Sequence, residues 1–294
     1  MAIFKGSGVA IVTPMKADGS VNYSKLEELV KEQILRGTDA IIICGTTGES
    51  ATLTTEEHRE CVRTAVAAAD KKVPVIAGTG SNNTAHAIEL TKTAKECGAD
   101  ATLVVTPYYN KATQRGLVEH YKAIAKVTDL PMIMYNVPSR TGCNILPETA
   151  ALLAKEVDNI VAMKDATGNV SQTAKMALLA ENKLDIYSGN DDQIIPVLAL
   201  GGIGVISVLA NVAPKQTHDI VMEYLEGDRQ KALALQLGAL ELVDALFCEV
   251  NPIPVKTAMN LLGKEVGGLR APMCEMEAGH VEVLKKALKN YGLL

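Results

Sequence analysis

The chain has 294 residues, 48% hydrophobic and 21% charged, with a formal net charge of −5 and a pI of about 5.6. That length suits one large domain or two modest ones, with room for a sizeable core. There is no basic block, no Trp and only two Phe, so nucleic-acid binding has neither electrostatic nor stacking support.

The opening stretch MAIFKGSGVAIVTPMK has a short apolar run broken by Gly and Pro and no small-residue cleavage motif, so no signal peptide is expected there. No window approaches 18 unbroken apolar residues, and no membrane span is expected. Cys44, Cys61, Cys97, Cys143, Cys248 and Cys274 are scattered without a C-x-x-C pair. They read as small core hydrophobes, free thiols of a reducing cytoplasm.

Short β-branched runs alternate with amphipathic stretches. GVAIVT from Gly8 is followed by NYSKLEELVKEQILRG, which opens on a cap residue, spaces Leu26, Leu29, Val30 and Ile34 helically, and stops at Gly37. AIIIC from Ala40 leads into TTEEHRECVRTAVAAAD, with Thr54 or Thr55 as cap and Glu57 or Glu56 near the capping-box position. VPVIAG from Val73 precedes NTAHAIELTKTAKECG. ATLVVT begins at Ala101, and PMIMYN from Pro131 precedes LPETAALLAKEV. IVAMKD from Ile160, DIYSGN from Asp185 and GVISVLAN from Gly204 complete eight runs.

Their starts lie 19 to 33 residues apart, the length of a strand plus a crossover helix. The runs are nearly continuous in apolar residues, as parallel strands covered by helices require. The expected fold is α/β, an eight-stranded (β/α)₈ TIM barrel over residues 1–224. A doubly wound sheet is the alternative, but TPMKADGS after the first run is no Gly-rich dinucleotide fingerprint. From about Asp228 onward, RQKALALQLGALELVDALF and GHVEVLKKALKNYGLL are helical without a further strand. Residues 225–294 are therefore expected to be a helical region packed on the barrel.

In such barrels the chemistry sits at the C-terminal ends of the strands. The second run ends in CGTTGES, where Thr46 and Thr47 lie between glycines that let backbone N–H groups and hydroxyls approach a small carboxylate. The fourth ends in TPYYN, with Tyr108 and Tyr109, and the fifth in YNVPSRTG, with Tyr135 and Arg140. A phenol there can move protons, and a guanidinium can hold a carboxylate bidentately. The sixth is IVAMKDATG, with Lys164 in an otherwise apolar strand. A lysine so placed either snorkels to solvent or is desolvated. Desolvation disfavours the charged amine and frees it to attack carbonyls. Singly, each residue has an ordinary structural explanation; together they converge on one barrel mouth. The five His show no ligand spacing, and Asp191 with Asp192 reads as a solvated loop. No metal and no cofactor are expected: none is needed if the lysine supplies the electrophilic activation.

AMKDATG, GTTGES, TPYYN, YNVPSRTG and NPIPVK (Asn251–Lys256) together resemble the class I pyruvate aldolases, and within them the dihydrodipicolinate synthase family, along the whole chain. The resemblance implies condensation of pyruvate with L-aspartate 4-semialdehyde, the first committed step of the diaminopimelate route to lysine, by a homotetramer built from tight dimers. Lys164 matches the Schiff-base lysine and Tyr135 the phenol that relays protons. Thr47 matches the hydroxyl joining Tyr135 to a second phenol, Tyr109, which reaches the site from the neighbouring subunit. Thr46 and Thr47 match the pyruvate-carboxylate contacts, and Arg140 the residue that recruits the second substrate. Gly189 and Ile206 match positions lining the pocket. Relatives inhibited by lysine bind it with residues that fall near Ser50, Ala51, Thr55, His58, Asn82, His86 and Tyr108. They carry His where Thr55 stands and Glu where His86 stands. Two rivals share parts of this pattern: an aldolase for sugar acids, against which Arg140 and the tyrosine pair argue, and a non-catalytic regulator, which would be expected to lack the lysine or the phenols.

Overall fold

The computed structural model describes residues 2–294. The eight apolar runs form parallel strands: β1 (Gly6–Ala10), β2 (Ala40–Ile43), β3 (Val75–Gly78), β4 (Ala101–Val105), β5 (Met132–Asn136), β6 (Ile160–Asp165), β7 (Asp185–Ser188) and β8 (Gly204–Ser207). They pair in sequence order, and β8 returns to β1 with Ile206 opposite Gly8, closing the barrel. Closure excludes the doubly wound alternative. It leaves no free sheet edge, so every strand is paired on both sides.

Helices cover the outside: α1 (Tyr23–Leu35), α2 (Thr55–Ala69), α3 (Thr84–Glu96), α4 (Gln114–Ala125), a single turn α5 (Pro138–Thr141), α6 (Pro147–Glu156), α7 (Val170–Ala180), α8 (Ile194–Ala199) and α9 (Pro214–Glu226). Their starts follow local chemistry. The side chains of Asn22, Asn83, Thr113 and Asn169 accept from backbone N–H groups of the first turn, and Thr54 with Glu57 forms a reciprocal capping box. Apolar helix faces and outward strand residues form two clusters around the barrel.

A third cluster fills the interior, including Ala10, Ile42, Leu103, Tyr135 and Ile206. Phe4 folds back into it and stacks on Tyr187 with ring centroids 4.4 Å apart, while the Tyr187 hydroxyl donates to the Phe4 carbonyl at 2.8 Å. Gly8 makes room for this plug, since a Cβ there would stand 2.6 Å from Ile42 Cδ1 and 2.9 Å from Phe4 Cζ. The interior is thus a packed core, and only its upper end is open for a ligand.

Beyond α9 come α10 (Arg229–Leu246), α11 (Ile253–Leu261) and α12 (Ala278–Asn290). α10 lies along α9 and α12. The connection Phe247–Pro252 and the start of α11 pass over the mouth of the barrel, which brings Asn251 and Lys256 beside the loop after β2.

Candidate active site

Tyr135 and Lys164 are register partners on β5 and β6, and Lys164 is in turn opposite Tyr187 on β7. Lys164 and Tyr135 are 6% and 7% exposed, and Lys164 Nζ stands 4.3 Å from the Tyr135 ring centroid. This is a cation–π distance. Among the described residues no carboxylate oxygen lies within 4.0 Å of the amine, while seventeen other basic side chains are so paired. The lysine is neither snorkelling nor ion-paired. It opens into a cavity of about 720 Å³ lined also by Thr46, Thr47, Arg140, Gly189 and Asn251.

Each wall has a local reason. After β2 the chain turns tightly, with Gly48 N–H donating to the Gly45 carbonyl and Glu49 N–H to that of Thr46. The N–H groups of Thr46 and Thr47 donate to no other group among the described residues. Thr47 is buried, and its hydroxyl accepts from Asn251 Nδ2 at 2.9 Å. Thr46 is half-buried and lines this cavity and also a neighbouring one of about 420 Å³. Arg140 sits on α5 and lines both cavities, with Nη2 donating to the Asn251 carbonyl at 3.2 Å. Gly189 directly follows β7 and packs close against the end of β6. A Cβ there would lie 2.6 Å from Ala166 Cβ, so the wall beside Lys164 requires glycine.

The structure thus brings together Lys164, Tyr135, Thr46, Thr47, Arg140 and Gly189. Ile206 lies one layer lower, in the barrel core, and Val208 forms the cavity wall on that side. Tyr109 is outside the cavity of its own chain. It is 90% exposed and held at φ 70°, a left-handed conformation unusual for an aromatic residue.

Sequence reasoning assigned no role to three features. Asn251 bridges Thr47 and Arg140. Behind the Thr46–Thr47 turn, Glu49 (φ 53°) forms a buried ion pair with Lys256: Nζ is 2.8 Å from Glu49 Oε1 and 3.0 Å from the Thr13 carbonyl. Burial pushes the Lys256 ammonium below the usual lysine range, opposed by Glu49. Arg270 closes the brace, with its N–H on Glu49 Oε2 at 3.0 Å and its guanidinium on Glu57. The only signal for Lys256 was a second lysine in an apolar stretch, NPIPVK. The third feature is Asp191, which is buried and not part of a solvated loop. Its Oδ2 accepts from the N–H groups of Val208 and Leu209 at 3.0 and 2.9 Å.

The second cavity is lined by Ser50, Ala51, Thr55, His58, His86 and Tyr108. Asn82 is not among its walls. Burial pushes His58 below the usual histidine range, and its Nε2 is 2.8 Å from the Gly78 carbonyl.

A buried unpaired amine above a phenol, at the mouth of a closed (β/α)₈ barrel, is the layout of a lyase that works through a lysine imine in the manner of class I aldolases. Residues 3–291 match the model of the dihydrodipicolinate synthetase family, and the chain belongs to that family. It is 63% identical over 294 residues, all of both chains, to a 4-hydroxy-tetrahydrodipicolinate synthase of Lachnoclostridium phytofermentans. Among solved structures it is similar to the chloride-inhibited dihydrodipicolinate synthase of Acinetobacter baumannii complexed with pyruvate. That pair has a TM-score of 0.96 and 47% identity over 99% of each chain. It is similar also to the enzyme of Cyanidioschyzon merolae with lysine bound, with a TM-score of 0.97 and 42% identity over all of both chains.

Proposed function

We propose that this chain is a 4-hydroxy-tetrahydrodipicolinate synthase, joining pyruvate to L-aspartate 4-semialdehyde at the head of the diaminopimelate route to lysine. The observation that carries the reading is Lys164, buried, free of any carboxylate and stacked over Tyr135, in a chain that matches the family model over residues 3–291. The amine adds to the pyruvate ketone and water leaves, giving an imine. Protonated, the imine is an electron sink, so the pyruvate methyl loses a proton to give an enamine. The enamine carbon attacks the aldehyde of the semialdehyde. Its amine then displaces Lys164, which closes the ring and frees the lysine.

Roles for the neighbours follow from their places. The unpaired N–H groups and the hydroxyls of the Thr46–Thr47 turn suit the pyruvate carboxylate. Arg140, fixed through Asn251, suits the carboxylate of the second substrate. Tyr135 is placed to pass protons at the imine. The geometry favours Thr46 over Thr47 as the link from Tyr135 to a second phenol. Thr47 is engaged by Asn251, whereas Thr46 lies between the two cavities. Tyr109 is that phenol, supplied by a neighbouring copy; its exposure and strained backbone suit a side chain that is buried only on assembly. The reading therefore includes a dimer of complementary sites and, by the family's pattern, a homotetramer. A cytoplasmic location is supported by six free thiols, none in a disulfide.

Treatment with pyruvate and borohydride tests the reading. A reduced pyruvyl group is expected on Lys164, seen by peptide mass, with loss of activity toward aspartate semialdehyde. Lys164→Arg keeps the charge without a neutral amine and should abolish both. Labelling of another residue, or none, refutes the assignment.

A further inference from the structure

One residue touches the walls assigned to both substrates. Asn251 is 4% exposed and stands between α10 and α11. Its Nδ2 donates to the Thr47 hydroxyl oxygen at 2.9 Å. Its backbone carbonyl accepts from Arg140 Nη2 at 3.2 Å. It lines the Lys164 cavity and the neighbouring cavity alike. The two bonds leave from different parts of the residue. The one to Thr47 depends on the side chain, and the one to Arg140 does not.

The bond to Thr47 fixes a direction. A threonine hydroxyl has one proton to donate and two lone pairs to accept with. Thr47 Oγ1 accepts from Asn251, and among the described residues it donates to nothing. Its proton therefore points away from the amide and stays free, at a residue that lines the Lys164 cavity. Had the amide presented its oxygen instead, the hydroxyl would have spent its proton on Asn251. The Asn251 oxygen is itself buried without a partner. A residue kept for stability alone has both ends of its amide paired. Here one end is left unpaired while the other serves the turn.

We propose that Asn251 is a positioning residue that serves the two substrates through separate atoms. Its side-chain amide makes Thr47 a hydrogen-bond donor to the pyruvate carboxylate, beside the free N–H groups of Thr46 and Thr47. Its backbone carbonyl orients Arg140 for the carboxylate of the second substrate. Both roles rest on the function proposed above. Loss of the side chain then weakens pyruvate binding and spares the second substrate, because every variant keeps the carbonyl. General loosening of the site would weaken both.

The test is Asn251→Leu, which keeps the volume and removes the donor together with the unpaired oxygen, a swap that costs the fold little. The pyruvate concentration for half-maximal borohydride trapping, and the KM for pyruvate, should rise about three- to tenfold, the scale of one hydrogen bond. The KM for aspartate semialdehyde should stay within about twofold, and kcat should change less than the KM for pyruvate. Asn251→Asp reverses the bond: the carboxylate takes the hydroxyl proton and repels the substrate anion. The KM for pyruvate should then rise at least about tenfold beyond that of Asn251→Leu. Only Asn251→Leu is used to compare the two substrates, since a carboxylate there also attracts Arg140. In a Thr47→Val background, Asn251→Leu should have little further effect on pyruvate. An unchanged KM for pyruvate in Asn251→Leu, equal rises for both substrates, an Asn251→Asp no worse than Asn251→Leu, or full additivity with Thr47→Val overturns the proposal. If Asn251→Leu does not fold, Asn251→Ala takes its place with the same expectations. Failure of the wild-type protein to be trapped at Lys164 would instead remove the function proposed above.

Discussion

Lys256→Met is the sharpest test of what holds the Thr46–Thr47 turn in place. Lys256 is 1% exposed, and its ammonium meets Glu49, the Thr13 carbonyl and the Gly268 carbonyl. Methionine fills much of the same volume, so cavity formation is minor. What remains is a buried Glu49 carboxylate with one oxygen still bonded to Arg270 N–H and the other without its cation. Breaking a buried pair from one side costs about 3–5 kcal/mol, and at about 2 °C per kcal/mol for a chain of this size the melting temperature should fall by about 6–10 °C. Glu49 directly follows Gly48 of the threonine turn, so the KM for pyruvate should rise as well. Urea titration with parallel calorimetry measures the first effect and initial rates the second. Because the penalty is an uncompensated charge, adding Glu49→Gln should restore more than about 1 kcal/mol. A loss below about 1 kcal/mol in Lys256→Met, or a double variant that is worse than the single, would refute the reasoning.

Three further outcomes are expected. Tyr109→Phe and Tyr135→Phe subunits, each nearly inactive alone, should recover activity when mixed and reassembled, because some shared sites regain both phenols; no recovery in a mixed oligomer refutes the shared relay. L-Lysine should inhibit weakly or not at all, since the cavity around Tyr108 offers His86, already 3.4 Å from Glu89, where a ligand ammonium needs a carboxylate; submillimolar inhibition at subsaturating pyruvate would show the argument from charge to be wrong. His218 is bonded to Asp39 at 2.7 Å and its pKa is raised by that carboxylate, so its contribution to stability is full below about pH 6.5 and lost as pH rises through the higher folded value. His218→Gln should therefore narrow the difference in unfolding midpoint between pH 6 and pH 8, and an unchanged difference would refute the assignment.

The barrel was legible because its signals are local and repeat. Each strand is a short apolar run, and each long helix has a periodic face, with caps at Asn22, Thr54 and Asn83 where the residue types put them. Two elements lack those signals. α11 begins among prolines, at Ile253 after Pro252 with Pro254 in its first turn, where proline is tolerated but announces nothing periodic. α8 is six residues long, too short to show a face. That Lys164 and Tyr135 share one cavity could be expected because strand ends are where barrels place chemistry. Asp191 was misread, since nothing in GNDDQ says which of two adjacent aspartates turns inward. That is decided by the N–H groups at the end of β8, about seventeen residues further on in the chain.

The same limit explains why Asn251 and Lys256 carried no assignment. Their partners, Thr47 and Glu49, are 204 and 207 residues away in sequence, and no local pattern encodes such a pairing. Once the fold makes it, the contribution of the helical region becomes physical. α10 fixes Asp191 through Gln236, the segment before α11 holds Arg140 and Thr47 through Asn251, and α11 itself anchors Glu49. Loosening these contacts would leave the barrel's hydrogen-bonded strands intact while releasing three walls of the cavity around the amine. Residues beyond 228 therefore serve both stability and site geometry: Leu242, Leu246, Val255 and Leu284 belong to the largest core cluster, while Gln236, Asn251 and Lys256 fix the cavity walls.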